Sequence, residues 1–152
     1  MLRLTLIRHA NAEWKDSNIP DFDRPLNKRG MSSGTRSAKR TQQTAEIVGR
    51  MLGLATRRVK LVEQLYLARA EVILAFVHQT GPKVHHLAIV GHNPGISELA
   101  RGLAPEDAQV TELATACACT LTFATETWLN LEGPAARAVR YEPPAKLFNL
   151  FS

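Results

Sequence analysis

Apolar residues dominate from Leu2 to Ile7, and the run stops at the polar pair Arg8-His9. That pattern predicts a short buried strand with an abrupt end. From Ala10 to Gly34 the chain is rich in Asp, Pro, Asn, Gly and Ser, and it reads as loop. Thr41–Leu52 places Ala45, Val48 and Leu52 on one helical stripe, with Ile47 and Met51 beside it and Gly53 as a stop signal. Arg57–Val62 has strand character. Glu71–His78 carries Val72, Ala75 and Phe76 at helical spacing and is closed by Gly81-Pro82. His86–Val90 predicts a second apolar strand, ending in Gly91-His92-Asn93-Pro94-Gly95. Ile96–Leu103 reads as a helix with Pro94 near its first turn. Beyond Pro105 the pattern turns strand-like over Ala116–Phe123, Thr127–Leu131 and Ala138–Tyr141. Glu142-Pro143-Pro144 can continue neither a strand nor a helix. Strands alternating with helices predict one α/β domain over residues 1–152, built on a largely parallel sheet.

Composition supports that picture. With 152 residues, 45% of them hydrophobic and 22% charged, the chain is the size of one globular domain and can bury a core without disulfides or metal. No apolar run approaches the roughly 20 residues a bilayer span needs, so no membrane association is expected. Arg3 and Arg8 interrupt the first apolar run, which is not the pattern of a signal peptide. Cys117 and Cys119 lack the spacing of a CxxC motif. They read as small buried thiols of a reducing, cytoplasmic compartment.

The net charge of +5 is uneven. From Arg24 to Arg40 there are six basic side chains (Arg24, Lys28, Arg29, Arg36, Lys39, Arg40) and no acidic one. Such a stretch suits an anionic partner, although on charge alone a solvated loop explains it equally well. Only Phe22 lies near these residues, so stacking on single-stranded nucleic acid is poorly supported.

Two strands end in a histidine, at Ile7-Arg8-His9-Ala10 and at Val90-Gly91-His92-Asn93. Ligands of open α/β sheets bind beyond the carboxyl ends of the strands. If these strands are parallel neighbours, Arg8, His9 and His92 converge there. A lone histidine is usually a surface or satisfied core residue; two at equivalent strand ends, one beside an arginine, point to chemistry.

At these residues the sequence resembles the histidine phosphatase superfamily, and within it the SixA-type phosphohistidine phosphatases. Leu6-Ile7-Arg8-His9-Ala10 matches the family's first motif. Glu13-Trp14 and Asp23-Arg24-Pro25-Leu26 look like its SixA branch. Arg40-Thr41-Gln42-Gln43-Thr44-Ala45-Glu46 is similar to its second arginine motif, and Val90-Gly91-His92-Asn93-Pro94-Gly95 to its second histidine motif. The resemblance implies a phosphoglycerate mutase-like three-layer sandwich, with a mostly parallel central sheet and helices on both faces. It also implies that His9 is the nucleophile, that Arg8 and Arg40 bind the phosphoryl group, and that His92 stabilises the transition state. Between Gly30 and Arg40 only about ten residues intervene, too few for a crossover unit. Roughly 25 family residues, the size of a helix plus strand, are therefore read as absent. That shortening leaves Arg36 as a rival to Arg40 for the second phosphate-binding position.

The physical logic of these residue types is independent of the resemblance. An imidazole nitrogen can attack phosphorus in line, giving a phosphoenzyme that water hydrolyses. The PO₃ group carries negative charge on its equatorial oxygens, which arginine forks and an imidazolium neutralise. A neutral nucleophilic His9 and a charged His92 should titrate apart. No metal or other cofactor is called for.

A general acid is harder to find. Glu63 is the nearest match, with Glu13 and Glu71 behind it, and each reads equally as a surface charge. The lack of a clear acid favours a phosphohistidine on a signalling protein over a small phosphate ester as substrate. Three rival readings are weaker. A basic nucleic-acid-binding module would need its charges spread over one face. A metal site drawn from His9, His78, His85, His86 and His92 lacks any HxxxH or HExxH spacing. A non-catalytic phosphate binder would not need every site residue that is present.

Overall fold

A computed structural model describes residues 1–9, 42, 44–50, 53–55, 58–60 and 62–143. In chain order the elements are β1 (Leu2–Arg8), α1 (residues 44–50), a 3-10 turn (Glu63–Leu65), α2 (Ala70–His78), β2 (His86–Gly91), α3 (Gly95–Leu103), β3 (Ala118–Phe123) and β4 (Ala138–Glu142).

The four strands form one sheet in the order β2-β1-β3-β4. β1 is central, flanked by β2 and β3, which is why it reads as an almost continuous apolar run rather than an alternating one. It pairs parallel with β2, Leu6 opposite Ile89 and Arg8 opposite Gly91. It pairs antiparallel with β3, and β3 antiparallel with β4. The described sheet is therefore mixed, not mostly parallel as expected. Hydrophobic periodicity reports a strand but not its direction. Here the segment after α3 returns past the end of β1, where the Ala116 amide donates to the Arg8 carbonyl at 3.1 Å. β3 consequently starts at the carboxyl end of β1 and runs back along it.

One face of the sheet holds the main core. Leu2, Leu4, Leu6, Leu121 and Phe123 are fully buried there against Ile73 and Val77 of α2 and Ile96, Leu99 and Leu103 of α3. Each such side chain contributes about 1.5–3 kcal/mol on burial. On the opposite face Val48 of α1 packs with Ile7 and Ala118.

Several local expectations change. The α2 stripe of Val72, Ala75 and Phe76 is rotated by one residue, so that Ile73 and Val77 are buried and Val72 is exposed. Helical spacing offers adjacent stripes, and packing against α3 selects between them. Thr127–Leu131 is not a strand. Two of its apolar residues serve as plugs instead, while Leu129 is exposed: Trp128 is buried with its Nε1–H donating to the Val84 carbonyl at 2.7 Å, and Leu131 is buried in the same core. Described residues 58–60 and 62 contain no strand where Arg57–Val62 was expected to form one. Cys119 is fully buried, with burial pushing its thiol up to about 12, whereas Cys117 is only half-buried.

Candidate active site

The parallel register of β1 and β2 carries the two histidines to one place. Arg8 stands opposite Gly91, and the next amide along β1, that of His9, donates to the Gly91 carbonyl at 3.0 Å. One residue past the last pair, the rings of His9 and His92 come together with centroids 4.4 Å apart and planes at 52°. His92 is 6% exposed, and its carbonyl accepts the Ile96 amide at 3.0 Å, joining it to the first turn of α3. His9 is half-buried.

Tyr66 completes the group of rings, in a T-shaped pair with His92 at 5.4 Å and 84°. It follows the 3-10 turn, and its own segment is held tightly against α3. A Cβ at Gly95 would lie 2.0 Å from the Ala68 carbonyl oxygen, so only glycine allows this approach.

Arg8 is gripped along its backbone and at its head. Its amide donates to the Cys117 carbonyl at 3.1 Å, and its Nη1 donates to the Leu113 carbonyl at 2.9 Å. A guanidinium has five N–H donors in a planar fork, so one bond to Leu113 aims the fork without consuming it. Beside it, burial raises the Cys117 pKa while the Arg8 charge pulls the other way. The thiol is neutral at ordinary pH and poorly suited to act as a nucleophile. Asn93 Nδ2 reaches both the Leu113 carbonyl at 3.0 Å and Glu112 Oε1 at 3.1 Å.

The arrangement has parts for chemistry on an anionic group: the adjoining His9 and His92 rings, Tyr66 against His92, and Arg8 next to His9 along the chain. Arg36, Arg40 and Glu13 lie outside the described residues. The helix that follows Arg40 is described, and its Thr44 is buried. Glu63 sits in the 3-10 turn, with its side chain outside the described residues, and Glu71 is exposed on the first turn of α2.

The other histidines are spread apart. His78 Nε2 lies 2.9 Å from the Leu131 carbonyl and His86 Nε2 2.8 Å from Thr5 Oγ1. No cluster of three metal-ligating side chains occurs among the described residues, and no helix among them is long and apolar enough to cross a membrane.

Tyr66, Ser97, Leu113 and Glu112 were not singled out by the sequence. Ser97 did carry a signal, lying one helical turn after Asn93. Tyr66 and Leu113 are brought in by connections, which periodicity does not describe.

No protein-family model matches the chain, and no curated protein matches it. Solved structures do. A SixA structure from Agrobacterium tumefaciens, assigned as a phosphohistidine phosphatase, superposes with a TM-score of 0.60 at 23% identity, covering 94% of this chain and 98% of that one. One from Nakamurella multipartitia, with the same assignment, gives a TM-score of 0.56 at 21% identity over 93% and 96% of the two chains. The protein histidine phosphatase SixA complexed with tungstate gives 0.57 at 17% identity over 96% and 99%. The chain therefore has the α/β fold of the SixA structures, with a mixed sheet.

Proposed function

We propose that this protein is a metal-independent phosphatase that works through a covalent phosphohistidine on His9 and takes phosphohistidine on a signalling protein as its substrate. The observation that carries the reading is the meeting of the His9 and His92 rings at 4.4 Å, beyond adjacent parallel strand ends and beside Arg8. The fold shared with phosphohistidine phosphatases supports it.

In this scheme a His9 ring nitrogen attacks the phosphorus of the substrate, and the P–N bond breaks with its electron pair going to the substrate ring, which carries a proton on its other nitrogen and leaves as neutral imidazole. Arg8, and Arg40 or Arg36 with it, hold the equatorial oxygens, while His92 as imidazolium donates to the same oxygens. Water then attacks phospho-His9, releasing inorganic phosphate and restoring the imidazole. The substrate leaving group is itself an imidazole that leaves neutral, so a dedicated carboxylic acid is less necessary than for an alkoxide. Residues 1–152 are read as one three-layer domain, with α1 on the face opposite α2 and α3. The packing of Val48 on Ile7 and Ala118 supports that layering.

The test is hydrolysis of a phosphohistidine-bearing protein against para-nitrophenyl phosphate, with EDTA present throughout. Fast loss of phosphohistidine is expected, falling at least about a thousandfold in His9→Ala while its melting temperature is kept. Preference for the ester would replace the protein substrate with a small phosphate ester and make Glu63 the acid to test. A large loss in EDTA would overturn the metal-free scheme.

A further inference from the structure

Leu113 is tied to the site from both sides of its peptide. Its carbonyl accepts Arg8 Nη1 at 2.9 Å and Asn93 Nδ2 at 3.0 Å. Its amide donates to Ser97 Oγ at 2.9 Å, and that hydroxyl donates its own proton to Asn93 Oδ1. The bonds close a ring through Asn93, Ser97 and Leu113, from which the Arg8 guanidinium extends. Ser97 and Leu113 are each 1% exposed.

We propose that Ser97 and Asn93 are positioning residues: by fixing the Leu113 carbonyl they aim the Arg8 guanidinium at the phosphoryl group next to His9. The proposal rests on the reading of Arg8 as a phosphoryl ligand. A hydroxyl has one proton and two lone pairs. Giving the proton to Asn93 Oδ1 and taking the Leu113 N–H settles which end of the Asn93 amide faces Ser97, and turns Nδ2 towards the Leu113 carbonyl. Three elements thereby meet at one peptide: the end of β1, the residue after His92, and the first turn of α3. An arginine head on a long stem helps a developing transition state only if it is oriented beforehand, and a displacement of about 1 Å can cost about a hundredfold in rate.

A double-mutant cycle tests this with Ser97→Ala, Arg8→Ala and the double variant. It is read as single-turnover loss of phosphohistidine from a peptide with enzyme in excess, alongside thermal melts. Ser97→Ala should lower the rate by about 10- to 100-fold in the wild-type background, and by less than about twofold once Arg8 is gone, because coupled residues are not additive. An equal loss in both backgrounds, or no loss in the first, overturns the proposal while leaving Arg8 its role. Undiminished activity in Arg8→Ala overturns the role of Arg8 and the proposal with it. Should Ser97→Ala not fold, Asn93→Ala takes its place in the same cycle, with the same expectations.

Discussion

β2 begins with one histidine and is followed by another, and the two differ in almost every physical respect. His86, at the start, lies 2.8 Å from Thr5 Oγ1, which lies 2.8 Å from Thr120 Oγ1. Burial, helped by the charge of Arg3, lowers its pKa to about 4. It is therefore a neutral ring set in a polar cluster across three strands. His92, beyond the other end, meets His9 and Tyr66 ring to ring at the carboxyl end of the parallel pair. Residue type is the same at both ends. Position relative to the carboxyl ends of the strands, and the neighbours that position brings, separate a histidine held in a polar cluster from the one assigned a role in the proposed mechanism.

The largest effect expected after that of His9 is at His92. His92→Ala should cut turnover of phosphohistidine about 100- to 1,000-fold, the cost of losing one donor to a transition-state anion. His86→Gln should change it less than about twofold, being remote from the reacting atoms. Equal losses would erase the distinction between the two ends. Next comes the second arginine: Arg40→Ala should lower kcat/KM more than Arg36→Ala, and the reverse order would reassign the phosphate ligand.

Gly95→Ala should destabilise the protein by about 1–3 kcal/mol, since the new methyl meets the Ala68 carbonyl. The same displacement would move the turn that carries Tyr66. A melt unchanged in this variant would show that the contact is not tight.

The smallest effect concerns pH. With the folded His86 pKa near 4 and the unfolded value at 6.5, the unfolded chain binds the proton more readily between those limits. Stability is then fully present above about pH 6.5 and is lost as pH falls towards about 4. Because the ring is partly exposed, the loss should amount to about 1–2 kcal/mol. Melting curves across this window should slope downward into acid in the wild type and flatten in His86→Gln.

Much of the fold is visible along the chain. β1, α2, β2, α3, β3 and β4 lie within a residue or two of where apolar patterning places them, because long runs of one periodicity leave little choice of element. Two short segments misled, Arg57–Val62 and Thr127–Leu131, neither of which is a strand among its described residues. Trp128 and Leu131 belong to an apolar-rich stretch that looks like a strand but are single plugs into the core, and a burial signal alone does not distinguish the two. The expectation of a mostly parallel sheet failed because strand direction depends on how the chain turns back, which here depends on the Ala116 and Cys117 contacts with Arg8.

By itself the sequence determined the types of β1, α2, β2, α3, β3 and β4 and the two histidine-bearing strand ends, which follow from local periodicity and from polar residues that break it. The register that sets Arg8 opposite Gly91, the approach of Tyr66 to His92, and the closed ring through Asn93, Ser97 and Leu113 were decided only in the tertiary structure. Each joins residues distant along the chain. Such pairings depend on loop paths and on which buried donor finds which acceptor, and those are properties of the packed molecule rather than of any stretch of its sequence.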